Sequence, residues 1–345
     1  AMNIYRLIRL AVSTAIPAPF KLLGLLALHL SGHRTIGVFI DPVLACNLRC
    51  RMCYFSDPAH RAGMHGVIDG DYLDRLEKAL FRRALKLQIG CGAEPTLYKD
   101  LEGLVKRGKR SGIPYISLTT NGQLIATGKV SLQSLVDAGL NEITISLHGT
   151  SKEIYEDLMP GASYDRFLDL VDILAGVKAV DPKFRIRVNY TVNSLNVTDL
   201  ADDRFWKLWA AVQPDIVQLR PVQELGKTSW TDFDMTRLKE LYATTIGSVV
   251  NQCRKRGIMC IAPTLDQLET VSTDQDAVSA TIEDVTYCYV GPHSCYKKDF
   301  DVTADSYESY HRRVGTAGRL LRQAFSLNRG GRRRKVVKKL NYKVS

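Results

Sequence analysis

Acidic side chains are missing from both ends of this chain: none occurs in residues 1–40 and none in residues 311–345. Those ends carry four and twelve Lys or Arg respectively, more than the whole net charge of +11, so the part between them is mildly acidic. Ends of this kind meet an anionic surface, lipid or nucleic acid, more readily than they add to a core. Long apolar runs are missing too. No stretch reaches the ~18–20 apolar residues that a membrane-crossing helix requires, and no small-residue cleavage site of a secretory leader follows the first apolar stretch. Cysteine is too sparse for a disulfide scaffold: eight in 345 residues, 45% of them hydrophobic. Such a chain buries a core without cross-links. No internal repeat is visible, and the basic tail alone has low complexity. Ala1, ahead of Met2, reads as a cloning remnant and carries no weight.

What is present is organised in four parts: 1–34, 35–225, 226–310 and 311–345. The first reads as two short helices broken by Pro17 and Pro19. Ile4, Leu7, Ile8 and Ala11 fall on one face of the earlier helix, with Arg6 and Arg9 elsewhere; the later one, around Phe20 to Leu30, is apolar almost all round. These helices either pack on the domain or lie in a membrane interface. From Thr35 to Pro221, β-rich runs (37–41, 87–90, 115–120, 142–147, 185–192, 215–219) alternate with helical stretches (71–85, 100–111, 130–138, 164–179, 200–212). That alternation predicts parallel strands with helices outside, and six units fall short of a complete barrel, so an open, partial (β/α)6 barrel of α/β class is expected. A helix over 235–256, the run 257–262 and a polar, loop-rich stretch from 264 to 286 follow. The last segment is basic, with its Arg332-Arg333-Arg334-Lys335 run.

Three of the eight cysteines crowd into Cys46-Asn-Leu-Arg-Cys50-Arg-Met-Cys53. A C-x3-C-x2-C loop wraps tightly enough to hold three corners of an iron–sulfur cube and leave the fourth iron open for a ligand. A zinc knuckle is the competing reading, but it needs a fourth ligand at close spacing, and His60 and His65 fit no usual zinc pattern. On this loop, directly after the first strand, the chain resembles the radical S-adenosylmethionine (SAM) superfamily over residues 36–221. Gly92-Ala93-Glu94-Pro95 looks like that family's Gly-Gly-Glu-Pro segment, with Ala93 for the second glycine. Thr119-Thr120-Asn121-Gly122 resembles its Thr-Asn-Gly segment. Ser146-Leu147-His148-Gly149 resembles Ser-Leu-Asp-Gly, with His148 in place of the acid.

The resemblance implies a [4Fe–4S] cluster on Cys46, Cys50 and Cys53. It implies SAM held by Met52, Gly92, Ala93, Glu94, Asn121, Ser146, Asn189 or Thr191, and Leu219 with Arg220 and Pro221 beside it. His148 would point into the barrel mouth as a candidate catalytic group, and Cys91 would be a packing residue. The implied chemistry is reductive cleavage of SAM, with an electron from a partner such as flavodoxin or ferredoxin, and hydrogen abstraction from a substrate in the mouth. Cys260, Cys288 and Cys295 invite a second iron–sulfur cluster, with Cys253 as a further ligand; the competing reading is buried thiols, since free cysteine is commonly buried.

Three substrate classes follow. The basic ends favour an amphiphile, lipid or lipid-linked, at an anionic membrane, in a cytoplasmic protein peripheral on the inner membrane face. A ribosomally made peptide is the alternative, and a second cluster would favour it. A nucleic acid is the third, permitted by the tail but unsupported by aromatics within it.

Overall fold

The computed structural model describes residues 16–201, 203–224, 227–269, 277–326 and 343–344. Its centre is one sheet, whose parallel strands are β1 (Ile36–Ile40), β2 (Ala84–Ile89), β3 (Ile116–Thr120), β4 (Glu142–Leu147), β5 (Arg185–Val192), β6 (Ile216–Pro221), β7 (Met259–Ala262) and β8 (Tyr287–Gly291). The order is β7-β6-β5-β4-β3-β2-β1-β8. This is the succession of an eight-stranded barrel, with the seam between β7 and β8 left unpaired. β9 (Ser294–Cys295) adds antiparallel to β8, and β10 (Lys343–Val344) antiparallel to β7. The six expected strands are all present within a few residues of the expected positions. The 226–310 stretch supplies two more parallel strands and the short antiparallel β9 to the same sheet, an addition the sequence reading did not anticipate.

Helices cover the outside. They are α1 (Ala18–Leu30), α2 (Gly70–Ala79), α3 (Leu101–Arg110), α4 (Leu132–Asp137), α5 (Tyr164–Val180), α6 (Ile246–Arg256), α7 (Ala277–Thr286), α8 (Tyr307–Arg313) and α9 (Thr316–Ser326), with shorter turns between. Local sequence starts several of them. Asp69 accepts from Tyr72 N at 2.7 Å, and Ser163 accepts from Arg166 N, each satisfying a donor that the first turn leaves open. The expected 235–256 helix is interrupted; Thr236–Glu240 and α6 flank a break. α7 forms where a loop-rich stretch was expected. The earlier of the two N-terminal helices lies outside the described residues, whereas α1 corresponds to the later one.

Strands buried on both faces usually read as continuous apolar runs. Here they alternate, because the barrel interior is polar. Gln88, Ser117, Glu142, Arg187 and Gln218 point inward and bond one another. Ser117 Oγ donates to Gln88 Oε1 at 2.7 Å, and the Arg187 guanidinium donates to Gln218 at 2.5 Å and lies 3.9 Å from Glu142. Their neighbours Leu87, Ile116, Ile143, Val188 and Leu219 point outward into the main core with the helices. Burying an unpaired charge is costly, so this interior is tolerable only as a bonded set.

A smaller apolar cluster lies apart from the main core: Leu22 and Leu25 of α1, Val278 and Val285 of α7, Leu320 and Ala324 of α9. Arg83, 2% exposed at the start of β2, pins α1 and α8 to the barrel. It donates to His29 O at 3.2 Å, lies 3.7 Å from Glu308 and stacks over the Tyr307 ring at 4.7 Å. Among the described residues no helix is long and apolar enough to cross a membrane.

Candidate active site

The C-terminal ends of the strands open on a cavity of about 250 Å³, the end at which parallel barrels carry their chemistry. A larger hollow of about 490 Å³, near Lys178 and Asp215, contains no cysteine. Cys46, Cys50 and Cys53 line the first cavity together with Met52, Gly92, Ala93, Glu94, Asn121, Ser146, His148 and Asn189. The structure thus gathers almost every residue singled out from the sequence.

The three thiols sit on an irregular loop between β1 and the short turn at Tyr54–Ser56. Burial is the largest influence on each, pushing Cys46 up to about 12 and raising Cys50 and Cys53, and the Cys46 and Cys53 charges act on Cys50. Metal ligation takes thiolates, so loading this loop releases protons. Among the described residues no three His, Cys, Asp or Glu side chains converge on a point where one ion would sit. Three thiols around a shared cavity suit a polynuclear cluster, in which each sulfur takes a separate iron.

Neighbouring segments hold the loop in place. Asn121 Nδ2 donates to Asn47 Oδ1 at 2.9 Å, Arg49 N to Pro160 O at 2.9 Å, and Arg51 N to Leu158 O at 3.0 Å. Behind it, Ser229 N donates to Ser56 Oγ at 2.8 Å, and Met52 packs with Leu158, Val222 and Trp230. That clasp from the segment after β6 was not foreseen, since nothing in its local sequence marks it.

Glu94 has a different part from the one the resemblance implies. Its buried carboxylate already accepts from Thr96 N at 3.1 Å, Thr96 Oγ1 at 2.5 Å, Thr120 Oγ1 at 2.6 Å and Asn121 N at 2.9 Å. Burial raises its pKa against the pull of those four donors. The carboxylate ties the end of β2 to the end of β3 and sets the course of Gly92 and Ala93. Asp41, unassigned in the sequence, does the same from β1: it accepts from Cys91 N at 2.7 Å, Gly92 N at 3.0 Å and Tyr289 OH at 2.9 Å. Tyr54 closes the arrangement by donating to Gly92 O. A Cβ on residue 92 would run into the Tyr54 hydroxyl, so any larger residue there has to displace the tyrosine.

On the opposite wall, Asn189 Oδ1 is buried without a hydrogen-bond partner. A buried acceptor left open costs free energy unless a ligand satisfies it, and its place in the cavity suits a hydroxyl donor such as a ribose. His148 is buried beside it. Burial, with a smaller contribution from the Arg220 charge, lowers its pKa to about 4. Its Nδ1 accepts from Thr191 N at 3.3 Å, so the neutral ring carries its proton on Nε2.

Three expectations are corrected. Leu219 does not reach the cavity: strand parity turns it outward, fully buried in the main core, and Arg220, Pro221 and Val222 line the wall instead. Cys91 is not a packing residue but is exposed at the cavity wall. Cys260 is not brought together with Cys288 and Cys295, which lie on adjoining strands, close enough that burial and the Cys295 charge both raise the Cys288 thiol. Cys260 lies on β7, hydrogen-bonded to Cys253 of α6, while Cys288 lies on β8 across the open seam, and Cys295 on β9 bonds Tyr72. Both strand cysteines point outward, like their paired neighbours Val217 and Val38.

An open parallel barrel with three thiols, a glycine cradle and an open acceptor at its mouth belongs to the cofactor-binding α/β barrels. Residues 40–193 match the model of the Radical SAM superfamily. A probable GTP 3',8-cyclase of Saccharolobus islandicus is 28% identical over 220 residues, 61% of this chain and 65% of that protein. One from Methanocaldococcus jannaschii is 32% identical over 165 residues, 46% and 50%. The chain therefore spans less than two thirds of the length of these relatives. The fold is similar to Streptococcus suis SuiB, with a TM-score of 0.53 at 16% identity over 79% of this chain and 62% of that one. SuiB bound to S-adenosylmethionine gives 0.51 at 16%, over 80% and 60%.

Proposed function

We propose that this chain is an enzyme that binds a [4Fe–4S] cluster through Cys46, Cys50 and Cys53 and cleaves SAM reductively to act on a substrate in the barrel mouth. The observation that carries this reading is the shared cavity: three thiols on one side, the Asn189 acceptor on the other, and the Gly92–Ala93 backbone between them. Held by Cys46, Cys50 and Cys53, the cluster would supply one electron for the reductive cleavage of SAM that starts hydrogen abstraction from the substrate. The protein's own part is positional. Asp41, Tyr54 and Glu94 fix the backbone at Gly92; Asn189 accepts from a ligand hydroxyl; His148 offers a proton on Nε2 to whatever lies above it. A small electron carrier such as flavodoxin or ferredoxin would supply the electron. The acid-free basic ends support a substrate at or near an anionic membrane, a lipid or lipid-linked compound.

The test is anaerobic reconstitution followed by assay for 5'-deoxyadenosine with a strong reductant. Product should form with the parent chain and vanish when Cys46, Cys50 and Cys53 are all replaced by Ala. Unchanged product from the triple variant would defeat the reading.

A further inference from the structure

The second apolar cluster is unusual in what it leaves outside. On α1 the residues turned away from it are Phe20, Gly24, Ala27 and Leu28, spaced along one helical face and without a single charge. On α9 the outward face holds Gly318, Leu321, Arg322 and Phe325. Phe20 is 67% exposed and Phe325 71%, with Leu28 and Leu321 each at 44%. A soluble helix normally turns polar residues outward; α1 turns no charge outward along this face, and α9 sets Leu321 and Phe325 beside its exposed Arg319 and Arg322, so the two adjoining faces make an apolar patch with a basic edge.

The two helices run antiparallel. His29, at the end of α1, lies 5.2 Å from His311, just ahead of α9, while Leu22 and Leu25 pack with Leu320 and Ala324 further along. The beginning of α1 and the end of α9 therefore share one end of the pair. α9 also runs antiparallel to α7, since Thr281 meets Gln323 at 2.7 Å and Asp284 meets Arg319 at 2.6 Å. α7 passes directly into β8, which puts its last residues at the N-terminal side of the strands. The end marked by Phe20 and Phe325 thus lies on the side of the C-terminal strand ends, where the candidate site opens.

α1 begins and α9 ends at that same end. Residues 1–15 contain Arg6 and Arg9 and no acid; residues 327–342 contain seven Lys or Arg and no acid. We infer that the α1–α9 face, with Phe20 and Phe325 at its tip, docks the protein on an anionic lipid bilayer with the barrel mouth at the membrane. The partner is chosen by the chemistry: apolar side chains enter the acyl boundary while the acid-free basic segments next to α1 and α9 in sequence meet anionic headgroups, and one weak anchor alone seldom holds. A nucleic acid would use the charges but has no use for a charge-free helix face. This inference rests on the reading that the substrate lies at a membrane and names the surface that brings the enzyme there.

The test uses the full reconstituted chain and sedimentation with phosphatidylcholine vesicles, with and without phosphatidylglycerol. The parent should bind the anionic vesicles in low salt, release them in high salt and ignore the neutral ones. The pair F20S/F325S touches only exposed side chains and should weaken binding at least about tenfold; neutralising Arg332, Arg333, Arg334 and Lys335 to Gln should do the same. The inference is overturned if the parent ignores anionic vesicles, if F20S/F325S binds as tightly as the parent, or if single-stranded RNA competes the protein off vesicles regardless of Phe20 and Phe325. Assay of 5'-deoxyadenosine in vesicle-free samples separates the two readings: product formation without vesicle binding overturns the docking surface and leaves SAM cleavage standing.

Discussion

Asn121, at the end of β3, donates its side-chain amide to Asn47 inside the cysteine loop at 2.9 Å, and its own Oδ1 accepts from Gln123 N at 3.0 Å. A residue of the barrel frame is thereby bonded to the loop that carries the thiols, across 74 positions of sequence. The consequence is mechanical: the loop has little regular structure of its own, so its course is set by such anchors.

Replacing Asn121 with Ala should therefore weaken the loop more than the fold. The expected cost is about 1–3 kcal/mol of stability from the lost bonds and the acceptor and donor left unpaired. Iron retained after reconstitution should fall while the far-ultraviolet circular dichroism stays that of the parent. Full iron retention in a destabilised protein would show that the anchor serves the frame only.

Gly92→Ala should abolish SAM binding in a protein that still folds, because the new methyl group meets the Tyr54 hydroxyl. The double variant Gly92→Ala with Tyr54→Phe removes the obstructing oxygen and should recover part of the affinity. Equilibrium binding of SAM to the parent and the two variants decides it; no recovery in the double variant would mean that the methyl group obstructs the ligand rather than the tyrosine.

Stability should decline on mild acidification. Burial is the largest cause lowering His148 from 6.5 to about 4 and His311 to about 3. Both are therefore neutral in the folded chain at a pH where the unfolded chain has taken up a proton. As pH falls below about 6.5 the unfolded state binds more protons, so stability drops, and for His148 the loss is complete near pH 4. At full effect His148 accounts for about 3 kcal/mol. His148→Gln should make the melting temperature less sensitive to pH between 6.5 and 4; an unchanged slope would place the sensitivity elsewhere.

Iron content should follow the first three cysteines alone. With Cys260, Cys288 and Cys295 on separate strands and two of them facing the outer core, replacing all three with Ser should leave reconstituted iron unchanged. Replacing Cys46, Cys50 and Cys53 should bring it near zero. About four irons surviving in the latter variant would establish a second cluster.

Much of this protein was legible in its sequence. The three cysteines were legible as one group, because a C-x3-C-x2-C spacing keeps them on one short loop. The six strands and their flanking helices were legible because alternating runs have periods that the backbone imposes locally. The segments that became β7 and β8 were not, since β7 has only four residues and β8 takes as its partner β1, near the other end of the sequence. Side-chain direction was likewise decided by the folded sheet. Leu219 and Arg220 are neighbours in sequence, yet strand parity sends one into the core and the other into the cavity. Cys91 and Cys260 look alike in sequence, but only the first faces the cavity. Glu94 became a brace because Thr96, Thr120 and Asn121 converged on its carboxylate. Local spacing determines what a short segment can bind; only tertiary packing determines which groups remain unsatisfied, and so open to a ligand.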